Sequence, residues 1–161
     1  MDVVSYKPIG VIRSPFTKPR GMPIQPAAAR GVEGSVEILP GLAEGLQDLD
    51  GFSHVILIYH LHVSHGYSLR VRPFLDKVQR GVFATRAPHR PNPIGLSVVE
   101  LMEVEGATLR VRNLDVVDGT PLLDLKPFVP EFDTGRPVRL GWLEGKLQEL
   151  ADSVADDRFE S

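Results

Sequence analysis

Val55-Ile56-Leu57-Ile58-Tyr59-His60-Leu61-His62-Val63 is the strongest strand signal in this 161-residue chain, and the fold is read outward from it. Its odd positions, Val55, Leu57, Tyr59, Leu61 and Val63, are all apolar or aromatic. Its even positions run Ile56, Ile58, His60 and His62, with His54 just ahead. Side chains alternate across a strand, so the odd set faces a core and the three histidines share the opposite face. An even face that is apolar in the middle and polar at its ends suits a strand whose far end opens into a site.

Shorter strand signals surround it at residues 9–13, 35–39, 81–86, 97–104, 108–114 and 122–127, with 97–104 and 108–114 forming a hairpin around Glu105-Gly106. Leu42, Leu46 and Leu49 recur at helical spacing ahead of Gly51. Leu143, Leu147, Leu150 and Val154 predict one amphipathic helix over 141–155, followed by an acidic tail at 156–161 that frays. No strand-helix-strand order repeats. The expectation is all-β: a single domain over 1–161, built as a compact β-barrel or strongly curved sheet with two short helices.

Gly 15 and Pro 14 exceed average usage, which marks a chain rich in turns and fixed loops. Seven of the fourteen prolines fall in two segments, 14–26 and 87–95, which are therefore stiff, irregular loops. Prolines reduce a loop's freedom and so pre-organise Arg86, His89 and Arg90. The absence of cysteine excludes a disulfide scaffold, a thiolate metal site and a cysteine nucleophile. No stretch approaches 18 apolar residues, and residues 1–5 lack the blocks of a secretion signal, so a cytoplasmic protein with no membrane partner is expected. There is no GxGxxG after a strand, no GxxxxGK[ST] and no GxSxG, which excludes Rossmann, P-loop and serine-hydrolase chemistry.

Charge is uneven. Between Gly66 and Asn92 six bases (Arg70, Arg72, Lys77, Arg80, Arg86 and Arg90) face one acid, Asp76, in a chain of net charge −3. Such a block suggests an anionic partner met at one place. His60, His62 and His65 offer a metal-ligand pattern, but no acid follows before Asp76 to complete it, and no metal is expected.

The motifs Ile9-Gly10-Val11-Ile12-Arg13-Ser14-Pro15, Gln25-Pro26, Gly51-Phe52-Ser53-His54, Gly81-Val82-Phe83-Ala84-Thr85-Arg86, Arg90-Pro91-Asn92-Pro93-Ile94-Gly95-Leu96-Ser97 and the run from Asp115 to Pro127 occur in one order. With them the chain resembles the TrmO/YaeB family of S-adenosylmethionine-dependent tRNA methyltransferases, in a short form, over about residues 6–130. The resemblance implies a homodimeric β-barrel enzyme that methylates N6 of threonylcarbamoyladenosine beside the tRNA anticodon and has no DNA partner. It implies cofactor contacts at Gln25, Pro26, His62, Arg86, Leu96, Asp118, Gly119, Thr120 and Pro121. The chain departs from longer relatives at Ala87 and Phe128, where they carry serine and tyrosine.

The chemistry of the residues agrees with that frame. Arg86 suits the cofactor carboxylate and Asp118 its ammonium or a ribose hydroxyl. The acceptor amine is a poor nucleophile, so a base helps; His62, His89 and Asp118 are the catalytic candidates. Arg90 suits the acceptor's carboxylate, with Arg13 or Lys126 as alternatives, while Arg70, Arg72, Lys77 and Arg80 suit RNA phosphates. Two other readings stay open at this point: a non-catalytic RNA-binding barrel, and a hydrolase with a metal on His60, His62 and His65.

Overall fold

The computed structural model describes residues 2–135, 138–148 and 154–156. Among them are eight strands: β1 (Gly10–Arg13), β2 (Glu33–Ile38), β3 (His54–His60), β4 (Arg70–Val71), β5 (Arg80–Gly81), β6 (Ile94–Glu105), β7 (Thr108–Arg112) and β8 (Thr120–Pro127). Six of them close into a barrel in the order β1-β2-β7-β6-β3-β8, and β4 and β5 form a separate two-stranded ribbon. Every pairing in the barrel is antiparallel. Closure leaves no open sheet edge in the barrel.

The odd face of β3 is core, as its period requires: Val55 and Leu57 are fully buried and Tyr59 nearly so. They pack with Ile12, Val36, Val99, Leu109, Val111, Leu114 and Leu122 in one cluster inside the barrel. The strand ends at His60 rather than Val63, because the His62 amide turns back to the His60 carbonyl at 2.8 Å and Ser64 closes a turn on Leu61 at 3.0 Å. The shared histidine face is thereby broken. His60 is exposed, and His54 at the other end pairs with Ser53 Oγ at 2.9 Å.

Other expectations change locally. Residues 81–86 are not a strand: β5 stops at Gly81 and a 3-10 turn covers Val82–Ala84. Thr85 causes this, since its amide (3.1 Å) and its hydroxyl (2.9 Å) both bond the Val82 carbonyl, an alternative to strand pairing. The leucine pattern at 42–49 forms two 3-10 segments, Pro40–Leu46 and Leu49–Gly51, rather than one α-helix. Gly41 and Gly45 weaken α-helix there. One α-helical turn, α1, occupies Pro130–Asp133. Of the helix expected over 141–155, the described residues give a 3-10 turn at Gly141–Leu143 and an extended bridge between Val154 and Pro23; residues 149–153 lie outside them, as do 157–161 of the expected tail. Among the described residues no helix is long and apolar enough to cross a membrane.

The antiparallel order puts the ends of β1, β3 and β7 and the starts of β2, β6 and β8 at one mouth of the barrel. Loops 14–32, 61–93 and 113–119 meet there. The C-terminal segment is tied to the first of these loops by Gly21 N–H to Ala155 O (2.7 Å) and Ala155 N–H to Met22 O (2.8 Å). It is tied to the second by Trp142, whose indole N–H donates to Ala84 O at 2.7 Å. The Trp142 ring lies 5.7 Å from the Arg80 guanidinium and 5.6 Å from the Lys146 ammonium. Asp76, its side chain 5% exposed, accepts from Arg80 at 2.7 Å and Lys146 at 2.9 Å. Lys146 first, then Arg80, hold this carboxyl well below the usual carboxylate range.

Two measurements follow. Gly95 lies against the Tyr59 ring, and a methyl there meets three ring carbons of a side chain that has no room to move. Gly95→Ala is expected to lower unfolding stability by about 1–3 kcal/mol in urea titration; unchanged stability refutes this packing. Asp76, with its depressed acidity constant, contributes docking that is present above the unfolded value and lost only as pH falls through the folded one. Lys146→Ala raises that folded value. The acid transition of the C-terminal segment, followed by emission of Trp142, the one tryptophan in the chain, therefore moves to higher pH. An unmoved transition excludes Asp76 as the anchor.

Candidate active site

A cavity of about 1180 Å³ occupies the barrel mouth. Its walls come from all three loops, from the inner ends of β3, β6 and β8, and from the C-terminal segment through Trp142, Leu143 and Leu147. Most of the lining is apolar, with a few polar groups set into it, the usual composition of a small-molecule site.

Arg86 enters from the second loop and donates from Nη1 to Gln25 Oε1 on the first, at 2.7 Å. Gln25 is neutral, and Arg86 makes no ion pair among the described residues, so this cation's charge is left for the cavity. Thr120, at the start of β8 and 2% exposed, donates its hydroxyl proton to Val117 O at 2.7 Å. Its oxygen lies 3.2 Å from His62 Nδ1. A hydroxyl has one proton, so His62 is the donor in that bond, and its Nε2 carries the free lone pair. Burial, then the neighbouring His60, push His62 below its ordinary value, with Asp118 opposing; the ring is neutral at physiological pH.

A second polar line starts inside the core. Gly95 has no side chain, so the Tyr59 ring lies across β6, and the Tyr59 hydroxyl reaches Ser97 Oγ at 2.9 Å. Ser97, 1% exposed, gives its proton to Asp115 Oδ1 at 2.6 Å and accepts from Tyr59. Asp115 lines the cavity between buried Leu114 and Val116. Burial pushes its carboxyl up to about 6, against the Ser97 hydrogen bond and the Arg86 charge. The same burial, with Asp115 beside it, pushes the Tyr59 phenol far above its usual range. In the sequence the mark of this site is an acid, Asp115, flanked by apolar residues in Leu114-Asp115-Val116-Val117.

The remaining expected residues are distributed as follows. Gln25, His62, Arg86, Leu96 and Thr120 line the cavity, and so does Arg90. Arg90 Nη1 also donates to Thr85 O (3.3 Å) and Ala87 O (3.4 Å), bracing its own loop. Asp118 does not line the cavity: its carboxylate accepts Ser14 N–H at 3.1 Å and its amide donates to Phe16 O at 2.7 Å, which pins the first loop to the third. Gly119, at φ +75°, turns the chain so that its amide bonds Ile12 O at 2.9 Å, and Pro121 pairs with Val11 in the barrel seam. Pro26 opens a 3-10 turn at Pro26–Ala28 next to Gln25.

His89 lies in a neighbouring hollow of about 480 Å³ with Arg70 and Arg72. Lys77 is exposed and donates its amide to Asp76. Three other expected RNA or substrate cations are paired with acids: Arg13 with Glu37 (3.2 Å), Arg80 with Asp76 (2.7 Å) and Lys126 with Asp124 (2.7 Å). Among the described residues no group of three or more His, Asp or Glu is placed to hold a metal ion, so the hydrolase alternative finds no ligand set.

Comparison with known proteins bears on this arrangement directly. The family model described as the tRNA-methyltransferase O N-terminal domain matches residues 11–134. A Pyrococcus abyssi protein named "Probable S-adenosyl-L-methionine-binding protein" is 53% identical over 157 residues, covering 98% of this chain and 85% of its own length. The tRNA (adenine(37)-N6)-methyltransferase of Escherichia coli is 37% identical over 140 residues, 81% of this chain and 60% of that protein. The crystal structure of TrmO from Pseudomonas aeruginosa superposes with a TM-score of 0.73 at 40% identity, covering 88% of this chain and 63% of that one. The chain thus spans somewhat under two thirds of these two longer proteins. With the barrel, the cavity and the matched residues in agreement, the chain belongs to the tRNA-methyltransferase O family.

Proposed function

We propose that this chain is an S-adenosylmethionine-dependent tRNA methyltransferase acting on N6 of threonylcarbamoyladenosine next to the anticodon, and that it works as a homodimer. The observation that carries the reading is convergence. Gln25, His62, Arg86, Leu96 and Thr120 come from separate parts of the chain and line one cavity. The relatives' names, an S-adenosyl-L-methionine-binding protein and a tRNA (adenine(37)-N6)-methyltransferase, agree with it.

The donor set fits the cofactor. Arg86, held by a neutral partner, suits a carboxylate; His62 Nε2 accepts a hydrogen bond; the apolar walls suit an adenine and a sulfonium. When bound, S-adenosylmethionine supplies an electrophilic methyl group. The chain's part is positioning: the proline loops and the Asp118 pin hold these side chains in place before binding, and orientation supplies much of the rate gain in such transfers. Arg90, at the cavity wall, suits the acceptor's own carboxylate. Arg70 and Arg72, beside the mouth, suit phosphates of a loop whose bases are splayed out.

Calorimetry is expected to show S-adenosylmethionine binding, weakened about 10- to 100-fold in Arg86→Ala, the worth of a hydrogen bond to a charged group. Nucleosides from threonylcarbamoylated tRNA incubated with protein and labelled cofactor should carry the label at N6. RNA binding with no methyl incorporation would instead establish a non-catalytic RNA-binding barrel.

A further inference from the structure

We infer that Asp115 is the catalytic residue that accepts the proton of the acceptor amine, and that Ser97 is its positioning residue, oriented in turn by Tyr59. The inference rests on the methyltransferase reading above and goes beyond it by assigning the base.

The geometry comes first. Asp115 is an acid of the cavity wall tied to a buried hydrogen-bond chain. Tyr59 OH to Ser97 Oγ is 2.9 Å and Ser97 Oγ to Asp115 Oδ1 is 2.6 Å. Tyr59 and Ser97 are 5% and 1% exposed, and each has a single hydroxyl proton, so the chain runs one way, ending on the carboxylate. It fixes the orientation of the carboxyl group, which also takes a hydrogen bond from backbone N–H, in the cavity wall. A side chain held by a buried network is the kind of support a reacting group needs.

Charge then separates Asp115 from the other candidates. Asp118 is not in the cavity lining, and its Oδ1 accepts Ser14 N–H as a loop pin. His89 lies in the neighbouring hollow. His62 lines the cavity, but a proton on Nε2 makes a cation, which burial and the adjacent His60 oppose. A proton on Asp115 makes a neutral acid, which burial favours. A carboxylate poised near neutrality is suited to proton transfer at physiological pH.

The step balances. As the acceptor nitrogen forms its bond to the methyl carbon, the carbon–sulfur bond breaks and its electron pair returns to sulfur, leaving a neutral thioether. The nitrogen's proton passes to Asp115, which releases it to solvent when the product leaves. Nothing is oxidised or reduced.

Ser97 from β6 bonds Asp115, and the Arg86 charge, from the loop before β6, acts on it. The other titratable and charged groups facing it are Tyr59 from β3, His62 and Arg90 from the loop between β3 and β6, and Asp156 from the C-terminal segment. In the ligand-free protein the Asp115 side-chain carboxyl signal, followed by carbon NMR, is expected to titrate near pH 6 and to move to higher pH in Ser97→Ala, because a hydrogen bond that favours the anion is lost. Methyl transfer by the wild type should fall as pH drops through the same range, and its acid limb should move upward in Ser97→Ala. Ser97 touches Asp115 and not His62, so a limb carried by His62 stays where it is.

Asp115→Asn keeps an oxygen to accept from Ser97, and is expected to lower the transfer rate at least about 10²-fold. Calorimetric affinity for S-adenosylmethionine should stay within about threefold. Loss of cofactor affinity instead of rate assigns Asp115 to the cofactor ammonium and overturns the proposal, as does a titration below pH 4 or a fully active Asp115→Asn. Absence of transfer in the wild type itself, with cofactor bound, defeats the methyltransferase reading; the NMR titration still tests Asp115.

Discussion

Pairing of Gly10, Val11 and Ile12 with Leu122, Pro121 and Thr120 is the interaction on which the rest of the molecule depends. It joins the first strand to the last and turns a six-stranded sheet into a barrel. Without it β1 and β8 are edges, and the loops that follow and precede them have no fixed separation. With it, Gly119 N–H reaches Ile12 O, Asp118 reaches Ser14 and Phe16, and loops about a hundred residues apart in sequence become adjacent walls. The closure is non-local, so the cavity exists only once nearly the whole barrel has formed. On the other flank of β1, the missing side chain of Gly10 lets the Glu37 carbonyl of β2 pass against the strand.

Much of this was legible in the residues. Period two in 55–59 identified the central strand and its buried face, and the proline clusters marked loops that do form the cavity rim. What alternation cannot show is where pairing stops. His62 continues the pattern of β3, yet its amide folds back on His60, and the strand is over. The same holds for residues 81–86, whose β-branched and aromatic content favours a strand while one threonine hydroxyl closes a turn. Leucine spacing at 42–49 read as a helix, but two glycines and a proline left only 3-10 segments.

The candidate site was legible in part for a related reason. Residue type announces what a side chain can do, and pairing decides what it is left to do. Arg86 met a neutral glutamine and keeps its charge for the cavity, whereas Arg80 met Asp76 and became part of the anchor for Trp142. Asp118 has the chemistry of a cofactor contact and the position of a loop pin. Asp115 is not marked by its residue type alone, because its importance comes from Ser97, 18 positions earlier, and from Tyr59 beyond it. Such partners are unknowable until the barrel closes.

The single proton of Thr120 has a wider consequence. Spent on the Val117 carbonyl, it makes His62 donate inward and leaves Nε2 as an acceptor. Asp115 is likewise an acceptor, and Arg86 can only donate. The cavity therefore has a polarity of its own before anything enters it. A guest's anion is satisfied by Arg86 and its N–H groups by His62 Nε2 and Asp115; an anion brought to those two acceptors, or hydrogens brought to the guanidinium, finds no partner. Orientation is thus written into which atoms hold protons, not only into the shape of the walls.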